Sequence, residues 1–246
     1  MRAVMLPGSG SDEVFVRSVF AGPLGALGIE LHAVAPRHGR DVIDGYRAAL
    51  DAALERPGPV LVGGISLGAH VAAAWAAQRR AEAGPGPAGL LLALPAWTGR
   101  PGDAPATLAA RATAACVRDS GVAGAVAAAE AGSPPWLAAE LARAWQRYGT
   151  GLAAELDAAA AEPAPDASGL RALDVPVGLA ALVDDPVHPL AVAEHWHALL
   201  PRAVLRSAPL AVFGADPAVL GRAAVLGWLR AARAGALSAA TRTPVP

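Results

Sequence analysis

The chain is 246 residues long, 54% hydrophobic, with 20 basic and 21 acidic side chains and a formal net charge of −1. That is enough apolar material for one sizeable α/β domain, and it fits neither intrinsic disorder nor binding to a polyanion. Every basic residue is arginine, and the absence of lysine and asparagine removes Schiff-base lysines, Ser–Lys dyads, a P-loop lysine and a Cys–His–Asn triad.

The N-terminal MRAVMLPGSG has no long apolar segment of the secretory kind. No run reaches the roughly 18 uncharged apolar residues of a membrane span. The expectation is a soluble cytoplasmic protein that binds neither nucleic acid nor a membrane. The lone Cys116 excludes an internal disulfide and a Cys-rich zinc site, and its Ala-rich helical setting reads as that of a small buried hydrophobe.

Arg2–Leu6 (RAVML) predicts a first strand, followed by the Gly/Ser loop Pro7–Asp12. Glu13–Leu27 then reads as a helix with Val14, Phe15, Val19 and Phe20 apolar and Ser11 or Asp12 as its N-cap. Leu31–Ala35 predicts a second strand, and Asp41–Glu55 a helix with Val42, Ile43, Tyr46, Leu50 and Leu54 at helical spacing. Pro59–Val62 is the short apolar run of a buried parallel strand, after which Gly63, Gly64, Ser66 and Gly68 turn the chain into an Ala-rich helix from Leu67. Gly89–Leu94 makes a fourth strand. Strands and helices alternating in this way predict a mostly parallel six-stranded sheet of the α/β class.

The alternation stops after residue 100. Residues 101–169 are helical and Ala-rich, with Trp136, Leu137, Leu141, Trp145 and Tyr148 as the most amphipathic face. They read as a helical cap inserted into a core made of residues 1–100 and 170–246, lying over the sheet edge where loops build sites. Strands resume with Val175–Val183, the turn Asp184-Asp185-Pro186 and a helix over Pro189–Leu200. Ala203–Ser207 predicts the sixth strand, and Pro217–Ala234 the last helix, with Asp216 as N-cap and a frayed tail beyond Ala236.

Gly64-Ile65-Ser66-Leu67-Gly68 is a G-x-S-x-G match set between a buried strand and a helix, which is the context of a nucleophile elbow. The turn needs small residues so that strand and helix pass closely while the serine hydroxyl stays exposed at a strained backbone position. The Leu67 amide then lies at a helix N-terminus, where unpaired N–H groups hold a developing oxyanion.

Over nearly the whole chain the order of parts resembles the α/β-hydrolase superfamily: a Gly-rich loop after an early strand, G-x-S-x-G, a helical cap, and an acid after the next-to-last strand. The resemblance implies Ser66 as nucleophile and Leu67 and Ser9 as the amides of an oxyanion hole. It also implies Asp185, in Asp185-Pro186-Val187-His188-Pro189, as the acid, with Asp184 second. The strand that opens the chain corresponds to the one before the Gly-rich loop, so a minimal version without the family's two leading strands is expected. In the family the catalytic histidine follows the last strand. Here that stretch, Ser207 to Asp216, contains none, and no histidine lies beyond His197.

An imidazole must therefore come from elsewhere, because an unassisted serine hydroxyl is a poor nucleophile at neutral pH. His188 reaches Ser66 if the Asp185 loop curls inward; otherwise it is a rim residue at the start of the next helix. His70 lies four positions after Ser66, one helical turn deeper, and also reads as a packed helix residue. His195 and His197 flank Trp196 on different helix faces, His32 sits by a strand, and His38 in the next loop could line a pocket mouth. No metal-binding histidine spacing exists and no cofactor is expected. Trp97, Trp136 and Trp145 either wall an apolar acyl pocket or pack the cap onto the core.

The expected function is a serine hydrolase cleaving a carboxylic ester or thioester of a small molecule with an apolar acyl part, through an acyl-enzyme on Ser66. Two alternatives stand beside it: an inactive binding protein of the same fold, and a lyase-like enzyme using the same pocket. A phosphate or dinucleotide site in Pro7–Asp12 is weaker, because the full G-x-G-x-x-G is missing. No oligomeric state follows from the sequence.

Overall fold

Six strands and ten helices are present among the described residues of a computed structural model, which covers residues 1–240 and the side chains of 1–235. In chain order they are β1 (Arg2–Leu6), α1 (Glu13–Gly25), β2 (Glu30–Ala33), α2 (Val42–Glu55), β3 (Val60–Ile65), α3 (Leu67–Ala81) and β4 (Gly89–Ala93). Four helices follow: α4 (Pro105–Gly132), α5 (Pro135–Tyr148), α6 (Gly151–Ala161) and α7 (Ala167–Ala172). The chain ends with β5 (Val177–Leu182), α8 (Leu190–Leu199), β6 (Ala203–Ala208), α9 (Leu210–Ala215) and α10 (Ala218–Ala240).

The strands form one sheet in the order β2-β1-β3-β4-β5-β6, and every pairing is parallel. The predicted α/β sheet is thus present, and wholly rather than mostly parallel. β1, β3, β4 and β5 are buried along their full length, as a parallel strand covered on both faces must be. Side chains of α2, α3, α7 and α8 cover one face, with Tyr46, Trp75, Leu170 and Trp196 in its core. Those of α1, α9 and α10 cover the other, with Phe20, Phe213, Leu220 and Trp228. A third cluster, built on Ala114, Val117, Trp145, Leu152 and Leu156, joins α4, α5 and α6 to one another. Helix α4 bends at Gly121, whose φ is 69° and ψ 179°.

Several boundaries differ from the sequence reading for physical reasons. Gly63 and Gly64 belong to β3 rather than to the turn, pairing with Met5 and Leu6 on one side and Leu91 and Leu92 on the other. Asp12, not Ser11, caps α1: its Oδ1 accepts the Val14 and Phe15 amides at 3.0 and 3.2 Å. Val14 faces solvent, and the buried stripe of α1 is Val16, Val19, Phe20 and Leu24. Cys116 is only half-buried. The stretch after β6, read as a loop, contains the short helix α9. Its first amide, Leu210, donates to Asp184 Oδ1 at 2.6 Å, and Phe213 packs edge-on against Phe15 and Trp136. Helix α10 continues past Ala236 to Ala240; the remainder of the tail read as frayed lies outside the described residues.

Arg2 ties the first strand to the end of α2. Its guanidinium donates to the carbonyls of Ala53 (2.6 Å), Pro57 (2.9 Å) and Arg56, groups that a helix C-terminus leaves unpaired. Arg2→Ala strands these carbonyls and should cost about 2 kcal/mol, read as a lower urea midpoint at unchanged slope.

Two features place the site. The chain runs from β1 outward to β2, then returns past β1 to β3, so the strand order reverses between β1 and β3. At such a reversal the loops leaving the strand ends part and open a crevice. The loop after β1 and the turn after β3 emerge there side by side.

Candidate active site

Ser66 connects β3 to α3 with no intervening residue, at φ 52° and ψ −113°. An L-residue adopts such a conformation only when its surroundings impose it. Its amide donates to the Ala93 carbonyl at 2.9 Å, continuing the β3–β4 ladder into the turn, and its carbonyl accepts from the His70 amide at 3.1 Å. The flanking glycines answer the close approach of β1. A Cβ on Gly64 would fall 2.5 Å from the Leu6 oxygen, and one on Gly68 2.4 Å from the same atom.

This contact draws the loop after β1 against the elbow. A Cβ on Gly8 would stand 3.5 Å from Ser66 Cβ and 3.4 Å from the Ile65 oxygen. Ser9 is the next residue, partly exposed. Leu67, the first residue of α3, is buried. Among the described residues neither the Ser9 nor the Leu67 amide donates to a protein acceptor.

The third component comes from the loop after β5. Strand β5 is two places from β3 in the sheet, roughly 10 Å away at ordinary strand spacing. The loop crosses that gap over the end of β4. Asp185 folds back on its own loop, its Oδ1 accepting the Val187 and His188 amides at 2.8 and 3.1 Å. Its Oδ2 lies 3.0 Å from His188 Nδ1. The opposite ring nitrogen, His188 Nε2, is 3.0 Å from Ser66 Oγ. Hydroxyl, imidazole and carboxylate thus stand in line, with acid and base three residues apart. Burial alone would raise the Asp185 carboxyl, but the His188 hydrogen bond and charge and the two loop amides outweigh it and hold the group below the usual carboxylate range. It stays ionised and accepts Nδ1–H, leaving Nε2 with the lone pair that faces the serine.

The alternates lie elsewhere. Asp184 is exposed and occupied by the Leu210 amide. His70 is fully buried; its Nε2 accepts the Ala96 amide at 2.9 Å, and its ring packs edge-on against Trp97 and tilted against Trp196. Burial and, secondarily, the nearby His188 push its pKa down to about 3, so it is a neutral packing residue with no lone pair to spare. His32, His195 and His197 are exposed, and His38 lies against the Tyr148 ring. The tryptophans do not share a wall: Trp97 packs in one sheet-face core, Trp136 against the other, and Trp145 within the α4–α6 cluster. Among the described residues no three His, Cys, Asp or Glu side chains converge to hold a metal ion. No described helix is long and apolar enough to cross a membrane.

Two contacts to the loop after β1 went unforeseen. Arg143 of α5 grips Asp12 with both terminal nitrogens, at 2.7 and 2.8 Å, and Arg147 joins at 3.2 Å. Glu155 of α6, fully buried, accepts the Gly10 amide at 3.1 Å. A sequence signal for Glu155 exists: it is an acid in the run LAAELDAAAA, on the same helical face as Leu152 and Ala159.

No protein-family model and no curated protein matches this sequence. Solved structures do match. An esterase from Thermogutta terrifontis is 19% identical, covering 94% of this chain and 89% of its own, with a TM-score of 0.69. A carboxylesterase structure from the thaumarchaeon Nitrososphaera gargenis is 16% identical over 85% of this chain and 81% of its own, at a TM-score of 0.67. A bromoperoxidase from Bacillus anthracis is 15% identical over 93% and 91%, at 0.69. At these identities the likeness is one of fold.

Proposed function

We propose that this chain, which has the α/β-hydrolase fold, is a serine hydrolase that cleaves a carboxylic ester or thioester through an acyl-enzyme on Ser66. The observation that carries the reading is the pair of 3.0 Å contacts linking Ser66 Oγ, His188 and Asp185. In this mechanism His188 Nε2 takes the hydroxyl proton as Oγ adds to the carbonyl carbon. Nδ1–H stays on the ring, held by Asp185 Oδ2, which stabilises the imidazolium. The tetrahedral oxyanion is met by the Leu67 and Ser9 amides, each such donor being worth about 3–4 kcal/mol in comparable sites. Collapse expels the alcohol or thiol, which takes its proton from Nε2. Water, deprotonated by the same nitrogen, then releases the acid and restores Ser66.

A base within hydrogen-bond reach of the serine favours an enzyme over an inactive binding shell. The acyl part of the substrate is proposed to be apolar.

The test is covalent labelling. A fluorophosphonate should add to Ser66 in the wild-type protein, giving one adduct by intact mass and a labelled peptide containing Ser66. Ser66→Ala should take up no label and hydrolyse no p-nitrophenyl ester above the buffer rate. Absence of label on wild type, under conditions that label a control esterase, would overturn the reading.

A further inference from the structure

The loop that carries Ser9 is a turn fastened by three hydrogen bonds. The Gly8 carbonyl accepts from the Ser11 amide at 3.1 Å, and Gly10 at the third position has φ 65°, as a type II turn requires. The Ser9–Gly10 peptide is held through its N–H by Glu155 Oε1 at 3.1 Å. The Ser11 carbonyl is held by the Tyr148 hydroxyl. In a trans peptide N–H and C=O point in opposite directions. The Gly8 carbonyl points into the turn, so the Ser9 N–H points out of it.

Only one of these fastenings comes from a carboxyl group. Glu155 is completely inaccessible, and its second oxygen, Oε2, has no hydrogen-bond partner. An acid buried with one oxygen unpaired is costly.

We propose that Glu155 is a positioning residue: by holding the Gly10 amide from the helical segment, it sets the turn so that the Ser9 N–H meets the oxyanion formed at Ser66. The inference rests on the reading of Ser66 as an acylated nucleophile. It adds that α6 is part of what shapes the oxyanion site.

The surroundings bear on the protonation state. Tyr148 of α5 and the Gly10 and Gly39 amides face the carboxyl directly. Tyr46 of α2 is buried near it with its hydroxyl unpartnered, and His38 lies behind Tyr148. Asp12 and Glu13 lie beyond Tyr148, paired with Arg143 and Arg147. On the α4 side, Arg118 is drawn off to Asp157 on the outer face of α6. No arginine pairs with Glu155 among the described residues. Burial therefore dominates and pushes its pKa up to about 8, against the opposing hydrogen bond of the Gly10 amide and the lesser pull of the nearby Tyr148 hydroxyl and Gly39 amide. Below that pH the carboxyl is neutral and only orients the turn. Above it, a buried negative charge stands one peptide from the oxyanion and opposes its formation.

The experiment compares kcat and KM for a p-nitrophenyl ester in wild type, Glu155→Ala and Glu155→Gln between pH 5.5 and 9.5, after fluorophosphonate labelling of each. Glu155→Ala should lower kcat ten- to a hundredfold with KM changed less than threefold. Glu155→Gln keeps an acceptor for Gly10, so it should retain kcat within threefold of wild type at pH 7. It should also lack the fall in kcat that wild type shows as pH rises through about 8. A merely structural role would not make the glutamine variant flatten the alkaline limb. Labelled wild type together with an unchanged kcat in Glu155→Ala would overturn the proposal alone. So would the same alkaline limb in wild type and Glu155→Gln, which stays readable if the alanine variant fails to fold. Wild type that takes no label would sink the Ser66 reading and this one with it.

Discussion

His188→Ala is expected to lower kcat for ester hydrolysis by about four to six orders of magnitude, while changing the stability by no more than about 1 kcal/mol. The size of the loss follows from the absence of any substitute. The six histidines of the chain include one other near the elbow, His70, but its lone pair is engaged by the Ala96 amide. Burial also keeps that ring neutral down to a pKa of about 3. It cannot take a proton in its neighbour's place. The small stability change follows from position: His188 sits on a surface loop, its side chain 17% exposed, and its partner Asp185 keeps the two backbone amides that shape the loop. Steady-state hydrolysis of a p-nitrophenyl ester, with a urea titration on the same sample, reads both. A variant that kept a tenth of the wild-type kcat would remove His188 from the reaction.

Gly68→Ala carries the largest expected structural effect. The new Cβ would lie 2.4 Å from the Leu6 oxygen and 2.7 Å from both the Leu6 carbonyl carbon and the Pro7 oxygen, all of them backbone atoms. Flexible side chains yield to such a contact, but this backbone does not, because β1 is paired along its length with β2 and β3. The elbow must open or β1 must shift. The cost should be about 2–4 kcal/mol, seen as a lower urea midpoint, with loss of fluorophosphonate labelling as the Ser66 turn relaxes. Gly25→Ala is the matched control: Gly25 closes α1, is followed by Ala26, and apart from its chain neighbours has nothing within 4 Å of the added Cβ. There alanine should stabilise by about 0.5–1 kcal/mol. Equal effects at the two glycines would mean that the close approach of β1 does not shape the elbow.

What could be read from the sequence follows how local each feature is. β1, β3, β4 and β5 announce themselves because a strand buried on both faces is a continuous apolar run. The edge strand β2, ELHA, has only one buried residue, so no apolar run marks its bounds and it lies at Glu30–Ala33 rather than Leu31–Ala35. Helix α9 was invisible because Phe213, which anchors it, does so through Phe15 and Trp136, residues far away in the chain. The same division holds at the site. The elbow is spelled within five residues, and the spacing of Asp185 and His188 is visible at once. The approach of His188 to Ser66 spans 122 positions, and that of Glu155 to Gly10 spans 145; neither has a local signature. Glu155 differs from a surface acid only by the helical face it shares with Leu152 and Ala159, which periodicity shows but composition hides.

Carrying carboxylate and imidazole on one short loop divides the geometry of the relay into two parts that respond to different forces. Their mutual alignment is a property of four consecutive residues and travels with them as a rigid cassette. Their distance from the serine is a property of the whole sheet. A fluctuation that slides β5 against β3 therefore stretches a single link, the one between ring and hydroxyl, and leaves the other intact. Among the described residues from β6 onward none joins the Ser66–His188–Asp185 line; Ala208, Phe213, Leu220 and Trp228 instead pack one face of the sheet beneath it.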